Sequence, residues 1–365
     1  MPKALLIDGL SLLGQVSGVG RYCHEISSRI PEELFERYYY YGYVTKALHS
    51  PAADSALSRV KRAACFFRPV KALARKCLTW TAHRGTWDLH WQPNFIPVRS
   101  IHARHVVTTV HDFAWEVYPH FQTDERVAYF QKYFYPGLEC CDRIITVSEF
   151  VKTELLQRVP HLADRIEVIH NGFDGSVYSP APPVSRQGNY LLSVGSIEPR
   201  KNILNLLKAY ALLDPATRRE FPLLLVGAAG WKNAEIFRMV AALEGSVRYL
   251  GYVGDEALAD YYRGARCFIY PSFYEGFGLP PLEAMACGTP VIVSRGSSLP
   301  EVCGEAAYYV DPEDVEAIRD AILAFVHDDL LRERHARLGV ARAARFSWER
   351  SAAAHTALFR DVTGG

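Results

Sequence analysis

The 365-residue sequence has no long apolar run. A membrane-spanning helix needs about 20 consecutive apolar residues, and no stretch of the chain approaches that length. The first apolar run, Ala4–Ile7, is short and is followed by Asp8, so it predicts a buried β-strand rather than a signal peptide. Because neither a span nor a signal peptide is evident, we expect a cytoplasmic protein.

Strong charge of one sign and paired cysteines are also absent. The 41 Lys and Arg residues nearly balance the 40 Asp and Glu residues, which gives a formal net charge of +1. That balance argues against nucleic-acid binding, which requires a basic field. None of the eight cysteines forms a C-x-x-C pair, so neither a zinc site nor a redox site is indicated. We expect free thiols in a reducing compartment.

Short apolar runs alternate with longer amphipathic segments along the whole chain. This alternation predicts an α/β fold of parallel, doubly wound sheets covered by helices. The predicted helices include Asp124–Cys140, Glu149–Arg158 (with Ser148 as its N-cap), Leu204–Leu213 and Val315–His327. The predicted strands are Ala4–Ile7, Tyr38–Val44, Val106–Val110, Arg143–Val147, Ile166–Ile169, Tyr190–Val194, Leu223–Val226, Val247–Leu250, Cys267–Tyr270, Val291–Val293 and Ala306–Val310.

A break between two similar sets of elements lies at Phe173–Gly188, which is rich in proline and lacks periodicity. We predict an N-terminal Rossmann-like domain at residues 1–175 and a C-terminal Rossmann-like domain at residues 189–345. Within residues 346–365, Ser347 is a suitable cap for a short final helix.

The segment from Tyr270 to Val293 predicts a strand, a glycine loop and a helix in succession. Free N–H groups in such a loop and the helix dipole favour a phosphate, and glycines allow its close approach. Glu275 and Glu283 add carboxylates that accept hydrogen bonds from sugar hydroxyls. Taken alone, these residues leave a plain turn open as the alternative, with Glu283 as a favourable helix charge. The loop and helix start consist of Gly276, Phe277, Gly278 and Leu279.

This segment resembles the E-x7-E segment of the retaining glycosyltransferase family 4, which has the GT-B fold of two Rossmann-like domains facing across a cleft. The resemblance covers nearly the whole chain, and the motifs occur in the family's order. They are Ser17-Gly-Val-Gly-Arg-Tyr, Thr109-Val-His-Asp, Thr146-Val-Ser-Glu-Phe, Val168-Ile-His-Asn-Gly, Ser193-Val-Gly-Ser-Ile-Glu-Pro-Arg-Lys-Asn, Val226-Gly and Phe346-Ser-Trp-Glu.

The resemblance implies that Glu275 holds hydroxyls of the transferred sugar, that Glu283 holds the nucleotide ribose and that the loop amides hold the pyrophosphate. It implies a donor site in the C-terminal domain, an acceptor site in the N-terminal domain and a final helix that crosses back to the N-terminal domain. It also implies a front-face reaction with retention, in which the departing phosphate takes the acceptor's proton.

Two cations follow a predicted strand in Glu-Pro-Arg-Lys-Asn. A leaving diphosphate needs cations, and the resemblance places Lys201 on it. Many family members have Arg where this chain has Ser196, so Arg200 is left with either a phosphate or a hinge role. Metal-dependent transferases commonly use an Asp-x-Asp pair, which this chain lacks. We therefore predict a site without metal or cofactor, in which Lys201 and backbone dipoles take the metal's place.

Two features of the N-terminal half complete the predicted site. Gly18 and Gly20 follow the first strand by about 10 residues and lack the third glycine of a dinucleotide fingerprint, which weakens a dehydrogenase interpretation. The resemblance assigns their loop to acceptor and phosphate, and a helix-entry turn is the alternative. His111 ends the strand Val106–Val110, where ligand crevices form. The resemblance places it near the reacting sugar carbon, and a structural histidine is the alternative.

Residues 59–84 are basic, and no acidic residue occurs between Asp54 and Asp88. Aromatic and apolar residues interleave with the cations, which suits an anionic membrane surface. A lipid-linked acceptor would be presented there, on the inner face of the plasma membrane. A solvated surface loop or helix is the alternative.

The Glu-Pro-Arg-Lys-Asn variant resembles bacterial polysaccharide mannosyl- and rhamnosyltransferases. It implies GDP-mannose or a related GDP-deoxyhexose as donor and a growing, lipid-linked O-antigen-type glycan as acceptor. The alternatives are another nucleotide-sugar donor, a sugar-nucleotide epimerase or hydrolase, and a non-catalytic nucleotide-sugar-binding protein. Product analysis with and without acceptor separates the epimerase or hydrolase from a transferase. The joint presence of both glutamates, Lys201 and His111 argues against the last.

Overall fold

A computed structural model describes residues 2–13, 17–41, 43–48, 85–94, 96, 101–180 and 188–364. The chain divides into two compact units. The first contains Met1–Phe113, Asp124–Asn171 and Trp348–Gly365, and the second contains Ala114–Thr123 and Gly172–Ser347. The C-terminal segment is therefore grouped with the first unit.

The first unit is built on a sheet with the strand order β3-β2-β1-β4-β5-β6-β7 within the described residues. Neighbouring strands are parallel except β2 and β3, which pair antiparallel at the edge. The strands are β1 (Lys3–Asp8), β2 (Phe35–Tyr40), β3 (Val44–Thr45), β4 (Trp87–Gln92), β5 (Ala103–Val110), β6 (Arg143–Thr146) and β7 (Ile166–Val168).

The second unit contains a parallel sheet with the order β10-β9-β8-β11-β12-β13. In chain order this is the 3-2-1-4-5-6 arrangement of a Rossmann-like domain, with its switch point between β8 and β11. The four inner strands are fully buried, as parallel strands covered on both faces are, whereas the edge strands β10 and β13 are partly exposed. They are β8 (Leu191–Val194), β9 (Leu223–Val226), β10 (Val247–Gly251), β11 (Cys267–Tyr270), β12 (Val291–Ser294) and β13 (Ala307–Val310).

Several helices begin directly after a capping side chain. Ser17 accepts a hydrogen bond from the Gly20 amide, and the predicted cap Ser148 accepts one from the Val151 amide, each at 3.1 Å. The helices are α1 (Gly18–Arg29), α2 (Ala114–Val117), α3 (Asp124–Leu138), α4 (Glu149–Arg158), α5 (Ile203–Ala211), α6 (Pro215–Glu220), α7 (Ala234–Ala242), α8 (Asp255–Gly264), α9 (Leu279–Ala286), α10 (Leu299–Cys303), α11 (Val315–His327), α12 (Asp329–Ala343) and α13 (Trp348–Val362).

The predicted parallel sheets are confirmed, but β4 is not among the predicted strands and two predicted elements need correction. The predicted strand Tyr38–Val44 is wrong as a single element, because β2 ends at Tyr40 and the chain returns antiparallel as β3. The predicted short final helix is the 15-residue α13.

The segment Ala114–Thr123 leaves the first unit after β5 and packs within the second. The indole N–H of Trp231 donates to the Phe121 carbonyl at 2.5 Å, and the ammonium of Lys232 donates to the His120 carbonyl at 2.7 Å. The Phe121 ring stacks on Phe273, with centroids 5.5 Å apart. The alternation of strands and helices in the sequence does not indicate this insertion.

Candidate functional site

The loop between β11 and α9 is held in one conformation by its own hydrogen bonds. The Ser298 hydroxyl lies 2.9 Å from the carbonyl oxygens of Glu275 and Phe277, and the Glu275 amide donates to Ser297 Oγ at 3.0 Å. Gly278 has φ of 108°, a left-handed conformation that favours glycine, and α9 begins at the next residue. The predicted strand, glycine loop and helix are therefore present in that order.

The Glu275 carboxylate is the centre of a buried polar cluster. Its Oε1 atom accepts hydrogen bonds from Lys201 Nζ at 2.7 Å, Ser272 Oγ at 2.6 Å and Tyr270 OH at 2.8 Å. Its Oε2 atom lies 3.0 Å from the guanidinium of Arg200. The structure thus brings together three predicted site residues, Glu275, Lys201 and Arg200.

A second carboxylate balances the charge of the cluster. Glu198 is buried, and its Oε1 atom lies 3.1 Å from Arg200 Nη2. Arg200 also donates to the Tyr274 carbonyl at 2.7 Å, which ties it to the loop that carries Glu275. Two carboxylates thus face two cations, and the cluster has no formal net charge. We call it the Glu275 cluster: Glu198, Arg200, Lys201, Tyr270, Ser272 and Glu275.

Burial and ion pairing oppose each other in this cluster. Burial raises the pKa of Glu275, but the charges of Arg200 and Lys201, together with hydrogen bonds from Lys201 and Ser272, outweigh it and lower that pKa to about 2. Burial and then the Arg200 charge lower the pKa of Lys201, although Glu275 and Glu198 oppose this. A polyanion at this place would give Lys201 further negative charge and so favour its protonated form.

The cations are placed by a short turn between β8 and α5. Asn202 has φ of 56°, in the left-handed region, and its amide group donates to the carbonyls of Pro271 at 2.9 Å and Pro312 at 2.6 Å. These bonds fix the turn that carries both cations against the end of β11. Ser196 lies partly buried two residues after β8, and no role follows from its position.

Glu283 lies inside α9 and is buried. The Tyr262 hydroxyl donates to its Oε2 atom at 3.2 Å. Burial, followed by the nearby Glu283 charge, raises the pKa of Tyr262 well above its usual value, which keeps it a donor. Of the predicted nucleotide-binding residues, Gly276, Phe277, Gly278 and Leu279 adjoin Glu275, and Glu283 follows one turn later.

The remaining predicted residues belong to the first unit. Gly18 and Gly20 lie in the first turn of α1, where a Cβ on Gly20 would come within 2.9 Å of the Ser11 carbonyl oxygen. His111 follows β5 directly and is buried, with Nε2 2.7 Å from the Pro93 carbonyl oxygen. Because a carbonyl only accepts, Nε2 carries the proton. Burial lowers the pKa of His111, although the Pro93 bond and Asp112 oppose this.

Neither a metal site nor a membrane span is apparent in the described parts of the chain. No group of three or more His, Cys, Asp and Glu side chains there could hold a metal ion. No described helix combines the length and apolar composition that a span needs. The basic stretch 59–84 lies outside the described residues, so its membrane contact stays a prediction.

Comparison with known proteins decides the family. Residues 16–176 match Glycosyltransferase Family 4, and residues 178–341 match Glycosyl transferases group 1. The O-antigen chain mannosyltransferase B of Escherichia coli is 38% identical over 360 residues, which cover 92% of this chain and 93% of that protein. The chain belongs to glycosyltransferase family 4.

More distant relatives agree with the fold of this glycosyltransferase. The O-antigen chain mannosyltransferase RfbU of Salmonella typhimurium is 32% identical over 60% of each chain. Sucrose-phosphate synthase from Thermosynechococcus elongatus superposes with a TM-score of 0.75 at 22% identity over 99% of both chains. WaaG, a glycosyltransferase involved in lipopolysaccharide biosynthesis, has a TM-score of 0.70 at 16% identity, over 99% of this chain and 100% of that one. The predicted GT-B fold is thus confirmed.

Sequence reasoning missed several residues that hold this glycosyltransferase's site together. Tyr270 was assigned only to a strand, yet its hydroxyl contacts both Lys201 Nζ, at 2.6 Å, and Glu275. Tyr262 and Asn202 were given no role, although each fixes a site element. For Tyr270 the available signal was a polar group at the carboxyl end of a buried strand, and for Asn202 it was a polar group at a helix start. Tyr262 lies near the end of α8, and the sequence carries no such signal for it.

Proposed function

We propose that this glycosyltransferase moves mannose from GDP-mannose, or a related GDP-deoxyhexose, to a growing bacterial surface glycan of the lipid-linked O-antigen type. The identity of 38% to an O-antigen chain mannosyltransferase over nearly the whole chain supports this substrate class. The observation that carries the proposal is the pair of cations, the buried Lys201 and the partly buried Arg200, held on Glu275 directly before the glycine loop. A diphosphate needs cations in that place.

The donor would bind by exchange of ionic partners. Its diphosphate accepts hydrogen bonds from Lys201 and Arg200 and lies near the start of α9, where the helix dipole favours an anion. Glu275 then turns toward the hydroxyls of the sugar, while Glu283 accepts a hydrogen bond from the ribose. Because both cations come from the chain itself, the proposed site needs no metal ion and no further cofactor.

The proposed reaction proceeds on one face of the sugar. The bond between the anomeric carbon and the diphosphate oxygen breaks, a bond from that carbon to the acceptor oxygen forms, and the acceptor's proton passes to the departing phosphate oxygen. The anomeric configuration is retained. Positioning and stabilisation of the diphosphate charge provide most of the rate. His111, neutral and fixed at Nε2, orients hydroxyls near the reacting carbon.

A donor panel with product analysis tests the proposal. The protein is incubated with GDP-, UDP-, ADP- and dTDP-sugars, with and without a mannose-terminated lipid-linked glycan, in excess chelator. We expect transfer from GDP-mannose or a GDP-deoxyhexose alone, full activity in chelator and an α-linked product in the NMR spectrum. Transfer from another donor would contradict the proposed donor, and a β-linked product would contradict retention. Dependence on added metal would contradict a site that needs no metal ion. Turnover of donor without acceptor would favour an epimerase or hydrolase.

A further inference from the structure

Four side chains of the first unit form a buried hydrogen-bonded chain that the proposed reaction does not use. Tyr22 OH lies 2.9 Å from Thr109 Oγ1 and 2.6 Å from His355 Nε2, and Trp91 Nε1 donates to Thr109 Oγ1 at 3.3 Å. All four side chains are fully buried. We call this set the Tyr22 chain. It connects α1, β4 and β5 to the C-terminal helix α13, which carries His355.

The chemistry of the groups fixes the direction of every bond. His355 Nδ1 lies 2.7 Å from the Ser351 carbonyl oxygen, which only accepts, so Nδ1 carries the proton and Nε2 is an acceptor. Tyr22 must therefore donate to His355, and Thr109 must donate to Tyr22. Burial lowers the pKa of His355 to about 4, with Ser351 opposing and His111 adding to the effect, so the ring is neutral at pH 7. Each donor in the Tyr22 chain has one acceptor, and the direction of donation cannot be reversed.

The Tyr22 ring also lies against His111. The ring centroids are 4.9 Å apart, and the planes meet at 87°. An edge-to-face contact of this kind is favourable and depends on orientation. The Pro93 carbonyl fixes the Nε2–H of His111, but this single hydrogen bond still allows the imidazole ring to rotate about it. The Tyr22 ring restricts that rotation. The hydroxyl of Tyr22 is in turn fixed by α13.

We propose that Tyr22 is a positioning residue for His111 and that the C-terminal helix, through His355, holds Tyr22 in place. This rests on the proposed function, because it takes His111 to lie beside the reacting sugar. The helix is attached independently of His355: Lys3 Nζ donates to the Thr363 carbonyl at 2.5 Å, and Phe35 packs edge-on against Phe359. Its docking and its effect on His111 are therefore separable by mutation.

A double-mutant cycle on the full chain tests the contact between Tyr22 and His111. We expect Tyr22→Leu to lower kcat by about tenfold with little change in the donor KM, since small displacements of a catalytic group have large effects on rate. In the His111→Asn background the same substitution should lower kcat less than about twofold, because nothing is left to position. Additive losses would overturn the inference and leave the proposed function intact. An unchanged kcat in His111→Asn would refute the role of His111 and the inference with it.

Two further variants test the hydrogen bond to the helix. Tyr22→Phe and His355→Phe both remove the bond between Tyr22 and His355, so each should lower kcat by about threefold and their combination should lower it no further. Phe35→Leu is the matched control: it loosens the packing of α13 but touches neither histidine, and we expect a lower Tm with kcat unchanged. A loss of kcat in Phe35→Leu that equals the loss in His355→Phe would show that both variants act only by loosening the docking of α13. That result would overturn the proposal.

NMR of histidine-labelled protein gives a readout independent of activity. The His111 signal, assigned by its absence in His111→Asn, should be a single resonance of the Nε2–H tautomer. We expect it to shift and broaden in Tyr22→Leu and to stay unchanged in Phe35→Leu. An unchanged His111 signal in Tyr22→Leu would overturn the inference even if no sugar transfer were found with any donor.

Discussion

The Glu275 cluster of the second unit and the Tyr22 chain of the first unit both bury polar side chains, but they satisfy them differently. One oxygen of Glu275 accepts from three side chains, and the other lies against a guanidinium. In the Tyr22 chain every link is neutral and each donor has one acceptor. The first arrangement is charged and redundant, and the second is uncharged and linear.

This difference fits the tasks that we propose for the two units. A redundant ionic cluster can lose one contact and stay satisfied, so an arriving diphosphate can take over a cation from Glu275. A linear neutral chain has no spare partner, and breaking one link leaves a buried group unsatisfied. In the proposed function, the cations of the second unit exchange Glu275 for the diphosphate, while the Tyr22 chain of the first unit keeps His111 in a fixed position.

Glu275→Gln should have the largest effect on activity of the substitutions in the Glu275 cluster. The amide keeps a hydrogen-bond acceptor for Ser272 and Tyr270 but removes the charge that faces both cations and, in the proposed complex, the sugar. We expect kcat to fall about 100- to 1000-fold, the range for loss of one preorganised electrostatic contact. Steady-state kinetics with GDP-mannose measure this, and the exposed Glu256→Gln is the control. A loss of less than about fivefold would remove Glu275 from the site.

Acid should lower the free energy of unfolding through the Glu275 cluster, because that cluster contains an ionised, buried carboxylate. The pKa of folded Glu275, about 2, lies below its ordinary value of 4.5, so its stabilising contribution is complete above pH 4.5 and declines as the pH falls toward 2. Relative to Glu275→Gln, the wild-type protein should lose on the order of 3 kcal/mol of unfolding free energy over that window. Urea denaturation from pH 5 to pH 2 follows this loss. Parallel curves for the two proteins would contradict the ion pairing.

Tyr270→Phe tests the redundancy itself. Lys201 and Ser272 still donate to Glu275 after the change, so we expect kcat to fall less than about tenfold and Tm to change little. Activity and thermal unfolding measured together decide this. A loss as large as that of Glu275→Gln would mean that the cluster, like the Tyr22 chain, depends on every link.

The neutral imidazole of His111 predicts that kcat does not depend on pH near neutrality. Burial lowers the pKa of His111 from its ordinary value of 6.5, which favours the neutral imidazole at neutral pH. We expect kcat to be constant from pH 6.5 to 8. A descending limb in that range that disappears in His111→Asn would show a charged imidazole and contradict the assignment.

The sequence predicted the fold well where the pattern is local. The helices Glu149–Arg158 and Val315–His327 have their predicted bounds, because each follows a capping side chain that is visible in the sequence, Ser148 or Asp314. The central strand β4 was missed, since His90 and Gln92 interrupt its apolar run although both are buried. Only the pairing of β4 with β1 and β5 explains that burial, and pairing is not a local property.

The candidate site was predictable to a similar depth. Glu275, Lys201 and the glycine loop follow from a motif with a physical meaning, and the structure brings them together. Tyr22 and His355 lie 333 residues apart, and nothing in either segment indicates that they share a hydrogen bond. Contacts of this kind depend on how α13 packs on the first sheet, which a single sequence does not encode locally.

Donor affinity in two variants tests the central contrast most directly. Calorimetric titration of GDP-mannose into Lys201→Met should give a Kd raised by about tenfold or more, because a charged hydrogen bond to the diphosphate is lost. The same titration into His111→Asn should give a Kd within about twofold of the wild-type value, although its turnover falls. An unchanged Kd in Lys201→Met would contradict the assignment of donor binding to the Glu275 cluster. A large loss of donor affinity in His111→Asn would contradict the assignment of His111 and the Tyr22 chain to positioning alone.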